Sequence, residues 1–118
     1  MQKTILIVDD EPDVRDSVKI ILETKGYKVE TAVDGDDCLK KLNEIKPDLI
    51  LLDIMMPGTP VDEVIKKIKD IKIAFMSVVR ISEARKRGLC KQENIVDFLQ
   101  KPFNVSDLVD RVGLILNE

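Results

Sequence analysis

Apolar and polar positions alternate along this chain in two rhythms. Short unbroken aliphatic runs, Ile5 to Val8 and Leu49 to Leu52, each end on carboxylates, Asp9-Asp10-Glu11 and Asp53. A run of that length suits a strand buried on both faces, as in a parallel sheet. Between the runs the apolar residues recur at helical spacing. Val14, Val18, Ile21 and Leu22 follow Pro12, which suits the first turn of a helix, and Gly26 supplies a stop. Tyr27 to Ala32 reads as a second strand. Asp34-Gly35 opens a second helix with Cys38, Leu39, Leu42 and Ile45 on one face, ended by Pro47. The third strand covers 49–53, and Pro57-Gly58-Thr59-Pro60 turns the chain away from it.

Val61, Val64, Ile65 and Ile68 predict a short third helix, Ile71 to Val79 a fourth strand, and Ser82 to Cys90 a basic, weakly amphipathic fourth helix. Ile95 to Leu99 is the fifth strand, ending at Lys101-Pro102-Phe103. Asn104 caps a last amphipathic helix through Val105, Leu108, Val109, Val112, Ile115 and Leu116. Five strands alternating with five helices predict an α/β fold, a parallel sheet covered on both faces. With 118 residues and no linker or repeat, the chain reads as one domain, 1–118, whose end coincides with the chain end.

Composition narrows the function classes. A net charge of −3 is too mild for binding nucleic acid by counterion release, and four aromatic residues are too few for a base-stacking platform. No apolar run approaches membrane-spanning length, and the first residues do not read as a signal peptide. Cys38 and Cys90 fit no metal spacing and read as free thiols in a reducing cytoplasm. The absence of histidine excludes a histidine base, a histidine-held zinc and a phosphohistidine on this chain. The basic residues Arg80, Arg85, Lys86, Arg87 and Lys91 read first as a solvated face and second as a docking surface for an acidic partner.

In an open α/β sheet, ligands bind at the carboxyl ends of the strands. Those ends carry Asp9 and Asp10, Asp53, Ser77 and Lys101. Three neighbouring carboxylates cannot all stay ionised without a cation, and carboxylate oxygens suit Mg²⁺. An aspartate beside a cation, a lysine and a hydroxyl is equipped to accept a phosphoryl group. Glu11 reads as an acid that favours the start of the first helix, outside the site.

The runs Ile5-Leu6-Ile7-Val8-Asp9-Asp10-Glu11, Asp48-Leu49-Ile50-Leu51-Leu52-Asp53-Ile54-Met55-Met56-Pro57-Gly58 and Phe98-Leu99-Gln100-Lys101-Pro102-Phe103 resemble the receiver domain of two-component response regulators, over essentially the whole chain and in the expected order. The resemblance implies a flavodoxin-like, doubly wound sheet of order 2-1-3-4-5. It implies that Asp53 takes a phosphoryl group from a partner histidine kinase or phosphotransfer protein. Asp9, Asp10, Asp53 and the Met55 backbone carbonyl would hold Mg²⁺. Ser77 and Lys101 would bind phosphoryl oxygens, and Ser77 and Phe98 would act as the switch. The Lys101-Pro102 bond would be cis. Output would pass through the fourth helix, fifth strand and fifth helix to a downstream protein. Such a domain is a signalling module, at most catalysing its own phosphorylation and dephosphorylation, with no nucleic acid or membrane contacted.

Departures from that pattern are local. The interval from Asp53 to Ser77 is short, which trims the third helix. Val61 and Asn94 stand where the family usually has glycine; asparagine also tolerates left-handed backbone. Val78 replaces a customary small residue, and its bulk would narrow access to Asp53. Met55 and Val79 occupy the two positions where the family tunes hydrolysis of the acyl-phosphate. Both are apolar and cannot orient water, which predicts a long-lived phosphorylated form. The alternative is a pseudo-receiver, a phosphorylation-independent binding scaffold. A flavin site would want a Gly- and Ser-rich loop after the first strand, and an aspartate-nucleophile phosphatase a second acid at position 55. Neither is present.

Overall fold

The computed structural model describes residues 2–117. The elements alternate without exception: β1 (Thr4–Val8), α1 (Pro12–Thr24), β2 (Lys28–Ala32), α2 (Gly35–Lys41), β3 (Leu49–Leu52), α3 (Val61–Lys66), β4 (Lys72–Ser77), α4 (Ile81–Lys86), β5 (Ile95–Gln100) and α5 (Val105–Leu116). All four strand pairings are parallel, and the sheet order is β2-β1-β3-β4-β5.

The aliphatic runs are central because both of their faces are covered. β3 is buried at all four positions, and Ile5 to Val8 of β1 are fully buried. Alternate strand residues feed two cores. Leu6, Val8, Ile50, Leu52, Ile73 and Phe75 meet α2, α3 and α4 on one face; Ile5, Ile7, Leu49, Leu51, Ala74 and Met76 meet α1 and α5 on the other. Each fully buried leucine or isoleucine contributes about 1.5–3 kcal/mol.

Local signals account for the helix ends. Pro12 opens α1, and Asn104 caps α5 by accepting from the Asp107 N–H at 2.7 Å. Asp34 caps α2 in the same way through the Asp37 N–H at 2.8 Å. Gly35 is required by packing, since a Cβ there would lie 2.6 Å from Val64 Cγ2 and push α2 off α3.

The fourth helix differs from the expected Ser82 to Cys90. It runs from Ile81 to Lys86, because Gly88, with φ of +76°, turns the chain before Cys90. The short α3 matches the trimmed interval before Ser77. Asn94 is not in left-handed backbone; among the described residues, Asn117 is the one non-glycine with positive φ. Asn94 instead donates to the carbonyls of Ile68 and Ile71 at 2.8 and 2.7 Å, and Gln92 donates to those of Ile65 and Ile68 at 2.7 and 2.8 Å. These amides close off the truncated end of α3. Val61, the first residue of α3, is buried in the core on that face of the sheet.

Candidate functional site

Register brings the chemistry to one edge. Val8 of β1 lies opposite Leu52 of β3, so Asp9 and Asp53 leave the sheet side by side, with the Asp53 N–H donating to the Val8 carbonyl at 3.0 Å. On the other side Ser77 of β4 lies opposite Gln100 of β5, and the Lys101 N–H donates to the Ser77 carbonyl at 2.8 Å. The Lys101-Pro102 bond is cis.

Lys101 bridges the two buried acids. Its Nζ lies 2.7 Å from Asp9 Oδ2 and 3.2 Å from Asp53 Oδ2. The other oxygens of the same carboxylates accept backbone hydrogen bonds: Asp9 Oδ1 from the Glu11 N–H at 2.9 Å, Asp53 Oδ1 from the Met55 N–H at 3.0 Å. Asp9 is fully buried and Asp53 is 4% exposed. Burial pushes the Asp53 carboxyl above the ordinary carboxylate value, and the Asp9 charge adds to this. The Met55 N–H and the Lys101 ammonium pull it down without cancelling the rise. For Lys101, burial acts downward, but its hydrogen bond to Asp9 and the charges of Asp53 and Asp9 outweigh it, so the ammonium is held above its usual value.

Asp9, Asp10, Glu11 and Asp53 offer carboxylate oxygens that all lie within 4.8 Å of one another. Hard oxygen donors, two buried and two exposed, match what Mg²⁺ takes while keeping several waters. Glu11 joins this cluster, although the sequence suggested only a helix-start role for it. The Met55 side chain is exposed, and the loop carrying it is pinned to α2 by the Thr59 hydroxyl, which donates to Asp36 Oδ1 at 2.6 Å.

Ser77 is fully buried at the end of β4, and its Oγ accepts from the Val79 N–H at 3.2 Å. Phe98 is 7% exposed, and its ring meets that of Phe75 edge-on, centroids 6.2 Å apart, so in this conformation it lies inward. Val78 is 61% exposed and lines a groove together with Lys101.

Three contacts here were not foreseen from sequence. Gln100 Nε2 donates to the carbonyls of Ser77 and Val78, at 3.3 and 2.8 Å, tying the β4–α4 loop to β5. Arg111 of α5 donates to the Phe98 carbonyl at 2.9 Å and faces Asp97 and Asp107. Arg15 of α1 donates to the Asp9 carbonyl at 2.7 Å. Each joins a side chain to a backbone atom of a neighbouring segment, and no motif marks it.

The family model described as response regulator receiver domain matches residues 5–113. The chain belongs to this family. The phosphate regulon transcriptional regulatory protein PhoB of Escherichia coli is 36% identical to the receiver over 122 residues, covering 98% of this chain and 52% of that protein. The transcriptional regulatory protein ResD of Bacillus subtilis is 37% identical, over 95% of this chain and 47% of its own length. The receiver thus spans about half the length of these curated relatives. Among solved structures, a two-component response regulator from Clostridium difficile superposes with a TM-score of 0.89 at 28% identity, covering 99% of this chain and 98% of that one. The response regulator TrrA of Thermotoga maritima, solved in complex with Mg²⁺-BeF, gives 0.82 at 35% identity, covering 97% and 99%. The flavodoxin-like order 2-1-3-4-5 is therefore both observed and shared. No described helix is long and apolar enough to cross a membrane.

Proposed function

We propose that this receiver accepts a phosphoryl group on Asp53 from a phosphohistidine of a partner kinase or phosphotransfer protein in the cytoplasm. The single observation that carries this reading is the buried Asp9–Lys101–Asp53 arrangement inside a cluster of four acids. In the transfer, the phosphorus–nitrogen bond of the donor breaks and its electron pair stays on the imidazole, while one Asp53 carboxylate oxygen forms the new bond to phosphorus. Asp9, Asp10 and Asp53, with the Met55 carbonyl, would hold Mg²⁺, which would neutralise charge on the transferred oxygens. Lys101 already faces Asp53 and would hold a phosphoryl oxygen by charge-assisted hydrogen bonding. Ser77 would donate its hydroxyl to another, exchanging the position in which its Oγ accepts from the Val79 N–H for one nearer the phosphoryl group.

That exchange supports a route outward. The Ser77–Val78 backbone is bonded by Gln100 of β5, and the Phe98 carbonyl by Arg111 of α5. A shift at Ser77 therefore acts on contacts that join β4, β5 and α5, and the α4–β5–α5 face would present the two states to a downstream protein. The donor would approach over an apolar groove of about 470 Å³ that includes Val14 and Ile21 of α1, Val78, Phe103 and Val105, and that borders Lys101. The assembled acids and Lys101 weigh against the scaffold alternative.

The test is intact-mass spectrometry after incubation with acetyl phosphate, with Mg²⁺ or excess chelator. One added phosphoryl mass is expected, dependent on Mg²⁺ and absent in Asp53→Ala. With apolar Met55 and Val79 unable to orient water, the adduct is expected to persist for many minutes after the donor is removed. A gain that survives Asp53→Ala would assign the wrong carboxylate, and no gain from any small donor would return weight to the scaffold reading.

A further inference from the structure

Charge is unevenly divided along this chain. Residues 61–94 hold nine Lys and Arg against five Asp and Glu, in a chain whose net charge is −3. The acids gather instead around the strand ends and the starts of α1 and α2, at Asp9, Asp10, Glu11, Asp13, Asp34, Asp36 and Asp37.

Four of the cations line one groove of about 580 Å³ between α3 and the segment that follows α4. Lys66 and Lys69 come from α3 and its exit, Arg87 and Lys91 from the opposite wall. Among the described residues, none of the four has a carboxylate oxygen within 4.0 Å. Asp62 and Glu93 also line the groove, so cations outnumber acids there two to one. The groove shares no residue with the acid cluster around Asp53.

The groove is held open by the fold. Ile65 and Leu89, 4% and 2% exposed, belong to the core beneath it. Its two walls are joined by the amides of Gln92 and Asn94, which bond the carbonyls at the end of α3. A concave surface whose backbone is already fixed loses little freedom on binding. Four unpaired cations on such a surface gain from carboxylates delivered together, because each pair alone is weak and screened by salt.

We propose that this groove docks an acidic, extended segment of a partner protein, with its carboxylates on Lys66, Lys69, Arg87 and Lys91. Polypeptide is favoured over nucleic acid on three grounds. None of the four aromatic residues, Tyr27, Phe75, Phe98 and Phe103, lines the groove, so bases have nothing to stack on. The flanking acids Asp62 and Glu93 oppose a continuous phosphate backbone. The rest of the chain is negatively charged and repels a long polyanion. The site is independent of the phosphoryl chemistry proposed for Asp53.

The test is fluorescence polarisation with a labelled peptide of about ten residues, mostly Glu and Asp, at low and physiological salt. Saturable binding is expected, weakening as salt rises. The combined substitution Lys66→Glu, Lys69→Glu, Arg87→Glu and Lys91→Glu should weaken it by about tenfold or more. A control with the same charge change elsewhere, Lys3→Glu, Lys19→Glu, Lys25→Glu and Lys28→Glu, should stay within about threefold of the wild type. If the fourfold reversal does not fold, Lys69→Gln with Lys91→Gln, both exposed, should still weaken binding by about threefold. Absence of saturable binding, equal losses in groove and control variants, or tighter binding of an oligothymidylate of the same length would each overturn the proposal. So would self-association of the chain through the groove in place of peptide binding.

Discussion

At Asp53 one carboxyl group serves two opposed demands. It is buried beside Asp9, which raises its proton affinity, and it faces Lys101, which does not fully offset that. A carboxyl whose folded pKa lies above its unfolded value favours folding in its protonated form. Its stabilising effect is present at low pH and is lost as pH rises from the unfolded value through the folded one. Without metal, the stability that the protonated Asp53 contributes is therefore lost as pH rises through its raised folded value. Asp53→Asn keeps the shape and an acceptor for the Met55 N–H while removing the charge. In chelator at pH 7 it should melt a few degrees above the wild type, measured by circular dichroism, and the gap should close as pH falls toward 4. An equal or lower melting temperature at pH 7 would mean that the Lys101 pairing outweighs burial. Added Mg²⁺ should stabilise the wild type more than the variant, since one carboxylate of the cluster is missing. Asp9 and Asp53 were legible because each directly follows an aliphatic run, Ser77 because it closes a mostly apolar strand, and Lys101 because a proline follows it at the end of a strand that contains an aromatic. Glu11's place in the cluster was not, because an acid before a helix has a sufficient local explanation.

At the scale of elements, the strands were plain in the sequence and α4 was not. Strands buried on both faces must be continuous apolar runs, whereas residues 80–94 are basic and lack a clear apolar period, so only Gly88 marked where the helix stops. Asn94 shows the same limit. Its position suggested left-handed backbone, but its φ is not positive, and it acts through hydrogen bonds that span 23 and 26 residues. Contacts over such distances leave no local pattern to read. The two accounts of Asn94 predict opposite results for Asn94→Gly. If backbone conformation were the point, glycine would be neutral or stabilising. Because the amide is the point, Asn94→Gly removes the side-chain donor of the Ile71 carbonyl and one of the two donors on Ile68, and should cost about 2 kcal/mol, as should Asn94→Ala. Urea unfolding at neutral pH checks this, and a neutral Asn94→Gly would refute the clamp. The loss should fall on stability and leave acetyl phosphate labelling of Asp53 in place, since the clamp lies at the end of α3 and touches none of the acids.

Across the whole molecule, the parallel sheet sorts its surroundings by face and by edge. Helices α1 and α5 cover one core and α2, α3 and α4 the other, while the strand ends collect the acids and Lys101. On the proposed function, a donor that brings a phosphohistidine to Asp53 would need a surface at that edge which gains energy from contact, since the clustered acids would repel a phosphoryl group until a cation is bound. The mainly apolar groove between α1 and the start of α5 would supply that surface, with Val105 56% exposed at the first position of α5. Val105→Asp separates docking from chemistry. A carboxylate at the first position of a helix suits the helix dipole, so the fold should be retained. Val105 shares the groove with Glu11 but is not one of the four clustered acids, so labelling by acetyl phosphate with Mg²⁺ should stay within about twofold of the wild type. Transfer from an autophosphorylated histidine kinase fragment that labels the wild type should fall by about tenfold, since burying an unpaired charge in an apolar contact is costly. Rates of both reactions, measured on the same protein preparations, decide the matter. If both fall together, the substitution has disturbed the site itself; if neither falls, the donor enters by another face.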